Sequence, residues 1–326
     1  MIKTFDEVCE IVSDRINKLD WKKQPLGLYQ PIEYILSLGG KRLRPAMTLM
    51  ACNLFSQEIE DAVSSALGIE VFHNFTLLHD DIMDNAEIRR GMPTVHVKWN
   101  NSTAILSGDV MQISSYQLMT QTPILNLKRT LDLFSKTAAE ICEGQQYDVD
   151  FESMNHVSVE QYLEMIRLKT AVLIAAGLKI GAWIGGASDL DADLLYDFGI
   201  NIGLAFQLKD DLLDVYGDEI TFGKRIGGDI LCNKKTFLLI NALSLADGQI
   251  ATDLQYWLQN NDPLTENEKI KAVTEIYSKL KVDVLCEDKM DYFYQLAVAK
   301  LSQLSLDSNK TQELRNLAKK LMSRKD

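Results

Sequence analysis

Apolar residues recur every three or four positions along almost the whole chain, the spacing that gives an α-helix one buried stripe. Val8, Ile11, Val12, Ile16 and Leu19 make an opening amphipathic helix. A segment holding Pro25 and Pro31 leads to a second helix, which Gly39-Gly40 ends. The next begins near Pro45, where proline suits a first helical turn, and runs to about Phe55. A long helix from about Asp61 reaches the Asp80 region. The longest polar break follows, Asn85 to Asn101, with Arg89, Arg90, Gly91 and Pro93 in it. Further helices are predicted over 103–121, 127–149, 159–184, 190–216, 234–246, 249–260, 266–303 and 310–323. Ser158 with Gln161 three residues on reads as a capping box. No alternating pattern with hairpin signals is present. The expectation is one all-α domain over residues 1–326, a single large helical bundle.

Composition sharpens this. The chain has 326 residues, of which 46% are hydrophobic and 25% charged, ordinary values for a globular protein. None of its 6 prolines lies between Pro123 and Pro263, a gap that favours long helices over a mixed sheet. A net charge of −12 argues against nucleic acid as a partner, since phosphate binding runs on clustered Lys and Arg. The cysteines, Cys9, Cys52, Cys142, Cys232 and Cys286, form no CxxC pair and fit neither a disulfide framework nor a zinc site. Reduced thiols in a cytoplasmic protein are the simplest account. Asp6-Glu7 with no apolar run gives no sign of a signal peptide. The most hydrophobic stretch, 171–187, is interrupted by Lys179 and by glycines after Ala176. It reads as a buried core helix and not a membrane span.

Two segments share one pattern: Asp80-Asp81-Ile82-Met83-Asp84 and Asp210-Asp211-Leu212-Leu213-Asp214. Each is D-D-x-x-D near the C-terminal end of an apolar helical run. Residues i and i+4 lie one turn apart on one helix face, so Asp80 pairs with Asp84 and Asp210 with Asp214, about 5–6 Å apart. Like charges so placed call for a bridging cation, and hard oxygen donors suit Mg²⁺ that also binds substrate phosphates. Two solvated acidic helix ends would be the bland account; two matching copies outweigh it. An EF-hand loop is excluded, because it needs alternating ligands and a central glycine.

The cations follow the same logic. Gly39-Gly40-Lys41-Arg42-Leu43-Arg44-Pro45 sets three of them beside a glycine pair at a helix start, a suitable cradle for a diphosphate. Arg89-Arg90, Lys169-Thr170, Lys224 and Lys234-Lys235-Thr236 supply more. Gly39–Pro45, the first D-D-x-x-D, Arg89-Arg90, Gly144-Gln145, Lys169-Thr170, Phe206-Gln207 and the second D-D-x-x-D are seven motifs that stand in one order over about residues 30 to 240. In this the chain resembles the trans-isoprenyl diphosphate (polyprenyl) synthases of the short-chain geranylgeranyl or farnesyl type. After about residue 245 no motif can be placed.

The resemblance implies a helical bundle with a central active-site cavity, three Mg²⁺ ions and a homodimer. It implies that Asp80, Asp84 and Asp210 bind metal, with Asp81, Asp211 and Asp214 supporting. Lys41, Arg44, His73 and Arg90 match the isopentenyl diphosphate site. Arg89, Lys169, Thr170, Gln207, Lys224 and Lys234 match the allylic diphosphate site. Asp80, Asp84, Arg89, Lys169, Asp210 and Lys224 would carry the catalysis. His73 is seven residues before Asp80, on the same helical face; His79, His96 and His156 read as structural. Two departures from the family pattern are Asn233, where glycine is usual, and Met92 after Arg-Arg-Gly.

Two other readings stand beside this one. A class I terpene cyclase shares the first Asp segment, but its second metal motif uses Asn, Ser or Thr and Glu, and it needs no isopentenyl diphosphate cradle. A non-catalytic subunit of a two-component synthase would tend to lose Asp residues or the Arg pair. Product length depends on a floor to the growing chain: Phe75, five residues before Asp80 and about 7–8 Å down the helix axis, with Thr76 and Phe72 beside it. An aromatic at that position without one at Thr76 resembles enzymes that stop at C20, with C15 next.

Overall fold

The protein, seen as a computed structural model, is described over residues 2–217, 226–260 and 262–324. Among the described residues it is all-α apart from one minimal hairpin. In chain order come α1 (Phe5–Asn17), α2 (Leu26–Ser37), α3 (Leu43–Phe55), α4 (Glu60–Met83), β1 (Ile88–Arg89), β2 (Met92–Pro93), α5 (Val95–Lys98), α6 (Asn101–Met119) and α7 (Ile124–Ser153). Then follow α8 (Val159–Ile166), a π-helical turn (Arg167–Ala171), α9 (Val172–Ile184) and α10 (Asp189–Tyr216). Among the described residues, six further α-helices follow: Gly228–Leu231, Phe237–Leu245, Gly248–Gln259, Glu266–Leu280, Val282–Leu301 and Gln312–Ser323. No helix among the described residues is long and apolar enough to cross a membrane.

Three sequence expectations are corrected. The helix expected over 266–303 is two, because Lys281 takes a left-handed conformation with φ 55 that a continuous helix cannot accommodate. The helix expected over 159–184 is interrupted by the π turn. The polar break holds a hairpin in which Arg89 pairs with Met92. Its two-residue turn, Arg90-Gly91, has positive φ at both positions, the conformation whose twist matches paired strands. Strands of two residues are too short to show alternation.

Two compact units make up the chain. The first comprises Met1–Thr137, Leu173–Asp197 and Lys300–Leu317. Within it α4 packs against α3 and α6, so it is apolar nearly all round, as a sandwiched helix must be. Phe72 and Leu78 are each 1% exposed, and burying a side chain of this size stabilises by about 1.5–3 kcal/mol. The glycines that break the apolar run of α9 have a packing role. A Cβ on Gly177 would lie 2.6 Å from Thr48 Oγ1, and one on Gly185, just past the end of the helix, would lie 2.5 Å from Cys52 O. Glycine at that spacing lets α9 approach the backbone of α3.

The second unit comprises Ala138–Val172, Phe198–Ala299 and Ala318–Asp326. Its core gathers Tyr162, Ile166, Leu208, Phe237, Val273 and Cys286 from helices on both sides of the second Asp segment in sequence. The capping box at Ser158 and Gln161 is formed. No disulfide joins the cysteines, two of which, Cys52 and Cys286, are buried.

Candidate active site

The first Asp segment closes α4. Asn85 follows in a left-handed conformation, φ 51, which lets Ala86 N–H donate to Asp81 O at 2.9 Å and Asn85 N–H to Ile82 O at 3.3 Å. This is the bonding of a helix stopped by a left-handed residue, a place that asparagine tolerates. It ends the helix at Asp84, whose side chain is exposed. Asp81 points inward, 1% exposed. Arg89 returns along the hairpin to meet it, with Nε 2.8 Å from Oδ1 and 2.9 Å from Oδ2. Burial raises the Asp81 carboxyl above the usual carboxylate range and Arg89 offsets this in part. Burial likewise opposes the Arg89 charge, but the bonds and charge of Asp81, aided by Asp80 and Asp84, more than compensate.

In the same unit the cations of the Gly39–Pro45 segment part company. Lys41 is exposed, while Arg42 is buried and Arg44 half-buried. Arg44 Nη1 lies 3.1 Å from His73 Nε2. A guanidinium can only donate, so His73 accepts through Nε2 and carries its proton on Nδ1. Desolvation, then the charges of Arg44, Arg90, Arg89 and Arg42, hold this imidazole well below the usual histidine range. His73 therefore meets Arg44 as a neutral acceptor and not as a counter-charge. Arg90 Nη1 donates to Gly39 O, and a Cβ on Gly40 would lie 2.7 Å from Arg90 Nη2. His79 packs edge-on to Phe75 with ring centroids 4.8 Å apart and bonds Ile105 O through Nε2 at 3.1 Å. Phe75 also meets Phe72, which meets Phe134, and Thr76 Oγ1 donates to His73 O at 2.8 Å.

The second Asp segment lies within α10, in the other unit. Asp211 is 4% exposed. It accepts from the Tyr162 hydroxyl and from Gln207 Nε2 at 3.2 Å. Gln207 in turn accepts from Thr170 Oγ1 at 3.1 Å. Burial and then the charge of Asp229 push the Asp211 carboxyl up to about 8, against the pull of these donors. Asp214 Oδ2 accepts from Asp229 N–H at 3.0 Å. Asp210 pairs with Arg324, whose guanidinium carbon lies 4.1 Å above the centre of the Phe206 ring.

Lys169 sits in the π turn, a local widening that often marks a functional position. Its Nζ donates to Asp148 Oδ2 at 2.6 Å, and Lys234 Nζ lies 3.6 Å from the same oxygen. Although burial opposes it, the charges of Lys234 and Lys169 hold the Asp148 carboxyl below its usual range. Gly144 makes room for the turn, since a Cβ there would collide with the Lys169 backbone nitrogen. Asn233 has φ 52. Glycine suits such a position and asparagine is the residue that next best adopts it. Lys224 lies outside the described residues.

Thus one unit brings together Asp80, Asp81, Asp84, Arg89, Arg90, Lys41, Arg44 and His73, and the other Lys169, Thr170, Gln207, Asp210, Asp211, Asp214 and Lys234. Sequence reasoning passed over Asp148, Tyr162, Glu70 and Arg324. Asp148 stands one turn after Gly144, a usable signal; the others meet partners remote in sequence. Among the described residues no three His, Cys, Asp or Glu side chains gather into a metal cage. Paired carboxylates one turn apart instead suit Mg²⁺, which takes one or two such ligands and completes its shell with water and phosphate oxygens.

Comparison with known proteins identifies the family. The family model described as polyprenyl synthetase matches residues 26–277. A geranylgeranyl diphosphate synthase of Methanosarcina mazei is 45% identical over 222 residues, 67% of this chain and 68% of that protein. One of Sulfolobus acidocaldarius is 37% identical over 309 residues, covering 94% of this chain and 92% of that one. The crystal structure of a geranylgeranyl pyrophosphate synthase superimposes with a TM-score of 0.94 at 42% identity, over 99% of this chain and 100% of the other. The fold is thus that of the isoprenoid synthases, and the chain belongs to the polyprenyl synthetase family.

Proposed function

We propose that the chain is a trans-prenyltransferase that couples isopentenyl diphosphate to an allylic diphosphate (dimethylallyl, geranyl or farnesyl) and releases a C15–C20 polyprenyl diphosphate. What supports this reading is that, in addition to the carboxylates of the two D-D-x-x-D segments, one unit carries three further cations, Lys41, Arg44 and Arg90. A cyclase has no second diphosphate for such a cradle to hold.

In this reading both compact units act as one catalytic domain. Arg89, Lys169, Lys234 and Lys224 hold the allylic diphosphate, while Asp80, Asp84, Asp210 and Asp214 provide carboxylates for three Mg²⁺ ions. When bound, Mg²⁺ supplies charge that stabilises the departing diphosphate. Fixed cations placed where charge develops do the same without reorganising. Thr170 and Gln207 turn their dipoles toward the allylic carbon in a pocket that excludes water. As the allylic C–O bond breaks, the isopentenyl double bond supplies the electron pair for the new C–C bond. The proton then lost from the isopentenyl unit passes to the released diphosphate, and no side chain is assigned as base.

The geranylgeranyl diphosphate synthases among the relatives support C20 as the main product, and the buried Phe75 and Phe72, with Thr76, are the floor this reading assigns to the growing chain. Exposed apolar side chains on α6, Ile105, Leu106 and Ile113, support a homodimer, and unbridged cysteines support a cytoplasmic location. The test is incubation of the pure chain with an allylic diphosphate, alone and with isopentenyl diphosphate. Product only with both is expected; hydrocarbon from the allylic substrate alone contradicts the reading. In the same assay Phe75→Ala should lengthen the product by at least one C5 unit, because removing the ring opens space at the floor.

A further inference from the structure

The Gly39–Pro45 segment carries three cations, yet only Lys41 and Arg44 enter the proposed cradle. The third has a different destination. Arg42 is the residue preceding α3, with φ 47 and ψ 30, a left-handed conformation seldom taken by residues other than glycine. Its side chain is 8% exposed, and Glu70, in the middle of α4, is 2% exposed. Arg42 Nη1 donates to Glu70 Oε1 at 2.6 Å and Arg42 Nη2 to Leu36 O at 2.7 Å. Asn74 Nδ2 completes the network, 2.9 Å from Glu70 O and 3.0 Å from Glu70 Oε1.

The geometry has a simple logic. Two arginines two residues apart, Arg42 and Arg44, land on two residues of α4 one turn apart, Glu70 and His73. One partner is a carboxylate and cancels the charge that it meets. The other is a neutral imidazole and brings no counter-charge. Glu70 also heads the carboxylates whose charge supports Arg90, against the burial that lowers that guanidinium. Arg90 in turn bonds Gly39 O, at the start of the same segment. A buried pair thus fixes a loop whose own backbone conformation is unfavourable, and Lys41 lies directly beside it in the chain.

We infer that Glu70 and Arg42 are positioning residues for the second substrate: their buried pair pins the Gly39–Arg44 segment on α4 so that Lys41 and Arg44 grip the diphosphate of isopentenyl diphosphate. This rests on the function proposed above. Neither residue touches the substrate. Glu70 supplies an internal counter-charge, which lets several cations share one small region without repelling the loop out of place.

The test separates positioning from mere structural support. Glu70→Gln keeps the shape and removes the charge. It should raise KM for isopentenyl diphosphate by about tenfold or more, as expected when binding groups are misplaced, and leave KM for the allylic substrate within about threefold. A structural defect alone would lower the active fraction and move neither KM. Because a lone buried Arg42 destabilises, the paired variant Arg42→Met with Glu70→Leu is the second arm. A well-packed apolar pair can restore stability, but it does not restore the loop tether, so the raised KM should persist in a thermally stable protein. Calorimetric binding of isopentenyl diphosphate should weaken in parallel. An unchanged KM in folded Glu70→Gln, or its recovery in the paired variant, overturns the inference. Lys41→Ala and Arg44→Ala serve as controls for the cradle. If they leave KM for isopentenyl diphosphate unchanged, the cradle reading fails and the inference with it; if they raise it while Glu70→Gln does not, only the inference fails.

Discussion

The two D-D-x-x-D segments are alike in sequence and unlike in surroundings. In each, the second aspartate is buried, Asp81 at 1% exposure and Asp211 at 4%. Asp81 meets a cation, the Arg89 fork. The hydrogen bonds of Asp211 come from neutral donors, Tyr162 and Gln207. The first segment ends its helix at Asp84; the second sits inside a helix that runs on to Tyr216. A shared motif therefore fixes which carboxylates lie on one face, while the inward residue is free to serve two different networks. One network orients an arginine of the proposed allylic site, the other an amide.

The largest expected effect tests what the segments share. Asp80→Ala and Asp210→Ala should each lower turnover by about a thousandfold or more, since several kcal/mol of charge stabilisation are lost at about 1.36 kcal/mol per tenfold. Circular dichroism should show the helices intact. Retention of a tenth of the activity by either variant would mean that its segment holds no essential ion.

The inward aspartates should then diverge. Asp81→Asn leaves Arg89 buried without its counter-charge, a change that typically costs about 3–5 kcal/mol. Asp211→Asn disturbs hydrogen bonds from neutral donors, for which about 1–3 kcal/mol is expected. Urea denaturation of the two variants side by side checks the order. Equal losses would erase the distinction between a charged and a neutral network.

Much of this was legible beforehand, and the limits have physical causes. Helical periodicity marked α4 and α10 because their buried stripes are long, and i, i+4 spacing paired Asp80 with Asp84 and Asp210 with Asp214. The same geometry places Asp81 and Asp211 about 100° away around the helix, so their inward course was half visible. Their partners were not, since Tyr162 and Asp211 are 49 residues apart and only packing brings them together. The break at Lys281 carries no glycine or proline, and a lysine in a left-handed conformation leaves no signal. Asn233, where the family resemblance implies glycine, takes a positive φ, a conformation open to both residues.

A smaller effect is expected at Asp210, where Arg324 occupies a carboxylate oxygen. Arg324→Gln should lower the Mg²⁺ concentration for half-maximal binding by roughly threefold, in keeping with the modest worth of a single ion pair whose carboxylate is still partly exposed. Calorimetric titration with Mg²⁺ alone reads this, and an unchanged or raised value would remove Arg324 from the metal site.

A further effect, on stability and not on activity, belongs to the first unit alone. The folded chain resists protonating His73, whose pKa lies well below 6.5. Below that value the unfolded chain takes up a proton that the folded one does not. Stability should therefore be full above about pH 6.5 and fall as pH drops beneath it, by at most about 1.4 kcal/mol per pH unit. His73→Gln should flatten this part of the profile between pH 5.5 and 7.5. A variant with an unaltered slope would place the titrating group elsewhere.

The central claim is that two differently built aspartate segments serve one condensation. The most direct measurement is chromatography of the products that the pure chain makes from farnesyl diphosphate, labelled isopentenyl diphosphate and Mg²⁺, with and without a chelator. The account predicts a labelled C20 diphosphate that vanishes when Mg²⁺ is removed. A correctly folded chain that incorporates no label with Mg²⁺ present, or one that incorporates it undiminished in the chelator, would contradict it.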